Sequence, residues 1–175
     1  MSVKVNNNSL KELLSDIKNN DYSDVLRECV ITAVTELDTS EVTDMKKVFG
    51  FSPYNRPIGN WNVSSVTNMS QMFYSSLFNH PIGNWDVSNV TDMTDMFKNS
   101  NFKQDLEAWS DKLHPDVKVL GMFKGSPMEG NEPSWYHERA VKQLSKLENA
   151  LFSIAVLSAT ASDNRWQDVL LSKET

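Results

Sequence analysis

The sequence predicts an α/β repeat solenoid of about four short coils, with a small parallel sheet and helical caps at both ends. Three observations predict it. The stretch Ile58–Phe73 reads IGNWNVSSVTNMSQMF, and 24 residues later Ile82–Phe97 reads IGNWDVSNVTDMTDMF. The same period runs through flanking, more degraded copies. The segments on either side carry helical rather than repeat spacing. A repeat of 20–50 residues marks a chain whose units cannot bury their apolar sides alone and must stack on one another.

The columns of the repeat are apolar. Val34, Ile58, Ile82 and Leu106 share one column, and Leu37, Trp61, Trp85 and Trp109 share the next. Thr39, Val63, Val87 and Asp111 follow, then Val42, Val66 and Val90, Met45, Met69 and Met93, Phe49, Phe73 and Phe97, and Tyr54, Phe78 and Phe102. A two-residue insertion after Trp109 brings Val119, Met122 and Phe123 into the Met, Met and Phe columns. Within a unit, Ile82, Trp85 and Val87 give the apolar-x-x-apolar-x-apolar pattern of a leucine-rich-repeat strand, with Trp85 and Val87 inward and Asp86 outward. Val90, Met93, Met96 and Phe97 then fit one face of a short helix that Ser88 or Asn89 can cap. Four strands about 4.8 Å apart would make a sheet about 15–20 Å wide.

The motifs NWDVSNVTDMTDMF and NWNVSSVTNMSQMF, followed by F-N-x-P-I-G-N-W, resemble the BspA-like leucine-rich repeats of bacterial surface proteins. The resemblance covers about Val34 to Glu129 and implies protein or matrix binding on the cell exterior. Three segments follow: an N-terminal helical cap over 1–33, four repeats over 34–129, and a C-terminal helical cap over 130–175. In the first, Leu10, Leu13, Leu14 and Ile17 lie at helical spacing with Ser9 as N-cap, and Val25 and Leu26 lead to Cys29. In the last, Val141, Leu144, Leu147, Leu151 and Ile154 line one helical face, and Trp166, Val169 and Leu170 end the chain. These helices should pack on the outer coils, and the apolar ALFSIAVL run could also serve a homodimer.

Composition bounds the function. The chain has 175 residues, a net charge of −6 and a pI near 5.0. That acidity speaks against direct nucleic-acid binding, which needs a basic footprint. Cys29 is the only cysteine, so no intrachain disulfide staple is expected. The N-terminus lacks an apolar export core and no run approaches a bilayer span, so no membrane partner and a cytoplasmic location are expected.

No catalytic cluster, metal site or cofactor is expected. Cys29 with His80, His114 or His137 is a weak pairing, and the Asp44, Asn68 and Asp92 column favours helix starts over calcium. The repeated tryptophans read as a core ladder rather than a sugar platform. What remains is the outward polar face, whose candidate partner-binding residues are Glu36, Asp38, Glu41, Asn60, Asn62, Asn84, Asp86 and Glu107. Short acidic and amide groups on a rigid surface suit Arg or Lys of a partner. The expected function is a non-enzymatic inhibitor or immunity protein for a basic toxin such as a nuclease. The alternative is an adhesin or surface-binding fragment.

Overall fold

The computed structural model describes residues 3–19 and 32–171. Val25, Leu26 and Cys29 lie outside them. Helix α1 spans Asn7–Asn19, a 3-10 turn spans Glu107–Trp109, and helix α2 spans Ser134–Leu171. The chain divides into two compact units, Met1–Arg139 and Ala140–Thr175.

The expected α/β leucine-rich-repeat solenoid with a parallel sheet is not formed: the described residues contain no strand and no sheet. Where strands were expected, the backbone turns instead. The Trp61 and Trp85 amides bond back to the carbonyls of Ile58 and Ile82, and the Val66 and Val90 amides to those of Val63 and Val87. A donor spent three residues back within its own unit cannot join a sheet ladder. What links neighbouring units is a series of single-residue parallel bridges, Asp44 to Asn68, Asn68 to Asp92 and Asp92 to Lys118.

The short helix expected over Val90 to Phe97 is also replaced by turns. The amides of Met96, Lys98 and Ser100 bond to the carbonyls of Met93, Asp95 and Phe97. The alternate amides, of Met93, Asp95, Phe97 and Asn99, reach the next unit at Lys118, Leu120, Met122 and Lys124. Asp95 and Asn99 have φ of 56° and 58°, and the matching positions 47, 51, 71 and 75 are also positive. Positive φ at the third residue of a turn is the type II requirement and stops an α-helix. Apolar spacing at i, i+3 and i+7 fits such turns as well as a helix, which is why the pattern misled. In the fourth unit these two places are Gly121 and Gly125.

Gly125 offers a direct check on this geometry. A Cβ there would meet the Asn99 side chain at a φ of +74°, whereas one at Gly130, φ +82°, would meet nothing. Gly125→Ala is expected to lose about 1–2 kcal/mol from left-handed strain plus the displacement of Asn99. Gly130→Ala bears the strain alone. Paired denaturant melts should show the larger midpoint shift at Gly125.

The inward columns are buried as expected, apart from the exposed Asp111. Trp61, Trp85 and Trp109 are at most 3% exposed, and the Met and Phe columns are fully enclosed. The rings of Phe49 and Phe73, and of Phe73 and Phe97, stack at 5.5 Å and 2°, and Phe97 and Phe123 at 5.8 Å. Each indole also anchors a unit to the one before. The Nε1 of Trp61, Trp85 and Trp109 donates to the carbonyls of Val34, Ile58 and Ile82.

Both edges of the repeats are covered by side chains standing in for a missing unit, which spares the exposed backbone groups. At the first edge, the Val5 amide donates to the Asp38 carbonyl and the Asp38 amide to the Val3 carbonyl. Asn7 Oδ1 accepts the Thr43 amide, a place filled by the Thr43 carbonyl one unit later. Asn6 rather than Ser9 caps α1, its Oδ1 accepting the amides of Asn8 and Ser9, and Leu10 and Leu14 are buried. At the other edge, Trp135 Nε1 donates to the Leu106 carbonyl at 2.9 Å, and Glu129 Oε2 accepts the Gly125 amide.

In the second unit, Val141, Leu144, Leu147, Leu151 and Ile154 are exposed. The side chains of Trp166, Val169 and Leu170 lie outside those described. Among the described residues, no helix is long and apolar enough to cross a membrane.

Candidate protein-binding face

The polar residues chosen from the sequence fall into two rows and two outliers. Asp38, Asn62 and Asp86 occupy the same place in successive units. Each turns its side chain back onto the chain two residues on: Oδ1 accepts the amide of Ser40, Ser64 or Ser88 at 3.0–3.1 Å. An Asp or Asn followed two residues later by Ser favours this Asx turn because a carboxylate or amide oxygen can mimic a backbone carbonyl. The consequence is a row of short acceptors with fixed side chains. Asn62 and Asp86 are exposed, while Asp38 is half-buried.

The hydrogen bonds from Ser40 and Ser88 hold the Asp38 and Asp86 carboxyls below their usual range. Both groups therefore stay charged at and well below neutral pH. The Asn62 amide takes the equivalent place in the unit between these two charges.

The second row is Glu36, Asn60 and Asn84. Asn60 Nδ2 donates to the Thr35 carbonyl and Asn84 Nδ2 to the Gly59 carbonyl at 2.7 Å. These amides tie one unit to the last. Glu36 is exposed, with no side-chain bond among the described residues.

Glu41 and Glu107 stand apart. Glu41 pairs with Lys4 at 2.9 Å across an exposed surface. Glu107 shares no column with the other candidates. Its two carboxylate oxygens take the amide and hydroxyl of Ser134, which opens α2. Beside it lies a cavity of about 350 Å³ whose rim includes Lys103, Asp105, Glu107, Met128 and Glu132.

Lys112 falls near this surface in the repeat pattern, while other residues there were missed. Lys4 is brought beside Asp38 by a parallel bridge, and nothing in the repeat spacing signals it. Lys112 lies close enough to Asp86 to favour its charged form, and its Nζ also reaches the Trp85 carbonyl at 3.5 Å. Trp135 was legible: it follows Trp109 by 26 residues, the same 24 plus two that the fourth unit already shows. The loop asparagines were legible too. Asn55 Oδ1 accepts the Asn79 amide, and Asn79 Oδ1 accepts the Lys103 amide, one period apart.

The histidines named from the sequence are otherwise engaged. His80 Nε2 lies 3.1 Å from the Asn55 carbonyl, and His114 Nδ1 accepts the Asp116 amide. His137 Nε2 lies 3.4 Å from Glu132 Oε2. The Asp44, Asn68 and Asp92 column makes Asx turns onto Lys46, Ser70 and Thr94, not helix starts. Asp44 additionally pairs with Lys11 at 2.6 Å.

These features define a protein of linked 24-residue units with a polar edge fixed by side-chain-to-backbone bonds. A family model described as Mycoplasma protein of unknown function, DUF285, matches residues 9–135, and the chain belongs to that family. The match ends on Trp135, the last indole of the ladder. No curated protein and no solved structure matches the chain.

Proposed function

We propose that this chain is a non-enzymatic protein-binding module: a cytoplasmic inhibitor or immunity protein that neutralises a basic toxin, such as a nuclease, through its acidic edge. The observation that carries the reading is the Asp38, Asn62 and Asp86 row. Its side chains are fixed before any partner arrives, which lowers the entropy lost on binding. Its carboxylates remain charged, and net acidity steers a basic partner toward the surface. Glu36 and the Asn60 and Asn84 amides extend the row, and the acid-rimmed cavity near Glu107 adds room for a basic side chain. The sequence motifs resembling BspA-like repeats favour a second reading, a surface-binding fragment.

The repeats themselves supply the test. Asn62 makes the same turn as Asp38 and Asp86 without a charge, so the double variant Asp38→Asn/Asp86→Asn keeps the turns and removes only the charges. Its thermal midpoint should fall slightly, since the ionised carboxylates favour the fold, while affinity for a basic partner falls roughly tenfold. Asp38→Lys/Asp86→Lys should weaken binding further. Unchanged affinity in both variants would remove the acidic edge from recognition.

A further inference from the structure

We infer that the cavity beside Glu107 is a binding site for one guanidinium group on an apolar stem, with Glu132 as the carboxylate that receives it. The inference rests on the reading of this cavity as room for a basic side chain, and owes nothing to the Asp38, Asn62 and Asp86 row. At about 350 Å³ the cavity falls in the range of small-ligand sites. In the inner units the matching column has no room for a side chain. A Cβ at Gly59 or Gly83 would come within 3.0 or 3.1 Å of the carbonyl of Pro81 or Asp105 in the next unit. The fourth unit places Glu107 in that column, and Asp105 where Pro57 and Pro81 stand before it. Here the wall opens, and both carboxylates line the cavity together with residues of 127–133.

Glu132 is an independent observation. It lines the cavity, its side chain is only 10% exposed, and its Oε2 is enclosed without a hydrogen-bond partner. His137 Nε2, 3.4 Å away, supplies a counter-charge only when protonated. A carboxylate withdrawn from water without donors is costly, and an incoming cation relieves that cost. Asp105 and Glu107 already accept bonds, from the Glu107 amide and from Ser134. Against these three acidic groups the cavity wall offers a single cation, Lys103. Among the described residues no three His, Cys, Asp or Glu side chains converge as a metal site requires, so the spacing suits an extended organic cation. Pro127, Met128 and Pro133 provide apolar wall for its stem. A guanidinium fits better than an ammonium, being more weakly hydrated and able to fork onto a carboxylate.

Amide NMR titration of the full chain with n-butylguanidinium tests this, with matched sodium chloride as the reference. Saturable shifts should centre on Glu107, Met128 and Glu132, and Glu132→Gln should weaken binding about tenfold or more, as expected for a lost bond to a charged group. Should that variant fail to fold, Asp105→Asn makes the same comparison, because its amide oxygen can still accept the Glu107 amide. Asp38→Asn/Asp86→Asn should bind the probe like the parent, so failure of the acidic edge would leave this site standing. A blocked Gly-Arg-Gly peptide identifies the source of the cation. Saturation by the peptide assigns the site to an arginine of a protein partner. Binding of n-butylguanidinium alone assigns it to a free cation and separates it from the proposed toxin. Shifts that never saturate, that scatter over the surface, or that both charge-removing variants leave unchanged would each overturn the inference.

Discussion

Trp85→Ala is expected to cost about 3–5 kcal/mol, the range for emptying a large aromatic site in a packed interior. The indole is almost wholly buried, and its Nε1 donates to the Ile58 carbonyl at 3.3 Å. Truncation therefore does two things: it opens a cavity and removes one of the two donors to the Ile58 carbonyl, which keeps the Trp61 amide. Trp85→Phe separates them, since it keeps most of the apolar volume but gives up the indole's bond to a carbonyl still held by the Trp61 amide, at about 0.5–1.5 kcal/mol. Equilibrium unfolding should rank the parent, the Phe variant and the Ala variant in that order. Equal stability for the Phe variant and the parent would mean that the indole ladder packs without bonding.

Phe97→Ala is expected to fall in the same range of about 3–5 kcal/mol, for a different reason. Its ring lies between those of Phe73 at 5.5 Å and Phe123 at 5.8 Å, and against Phe102 at 4.0 Å. Those contacts join three consecutive units through one side chain. Phe97→Leu preserves apolar burial but gives up the ring pairs, each worth about 0.5–1.5 kcal/mol beyond area. The Leu variant should sit between Ala and the parent in a denaturant titration. A Leu variant as unstable as Ala would point to shape rather than ring pairing.

The buried columns were legible from the sequence because apolar side chains recurring at a fixed interval leave few alternatives to mutual burial. Trp85, Met93 and Phe97 point inward for that reason. The backbone that carries them was not legible. Three- and four-residue spacing satisfies a helix and a run of type II turns equally. The deciding signal was positive φ at positions occupied by Lys47, Gln71 and Asp95, residue types that do not advertise it. Only Gly121 and Gly125 in the fourth unit name the conformation, and they sit in the most degraded copy.

The polar edge was legible in part. Asp38, Asn62 and Asp86 alternate with the inward Trp and Val columns, so their outward placement followed from the pattern. Their Asx turns were written two residues on, in Ser40, Ser64 and Ser88. Glu107 misled because it borders the repeat in sequence, while its carboxylate is spent on the first turn of α2. Lys4 could not be placed, since its approach to Asp38 depends on the chain before α1 adding a bridge at the repeat edge.

Whether the Asp38, Asn62 and Asp86 row recognises a basic protein is tested most directly by parallel pulldowns from the native host. Tagged parent and the Asp38→Lys/Asp86→Lys variant serve as baits, with mass spectrometry of what each retains. The predicted result is one basic protein held in equal proportion by the parent and lost from the variant. A parent that retains no basic protein, or a variant that retains the same one equally well, would contradict it.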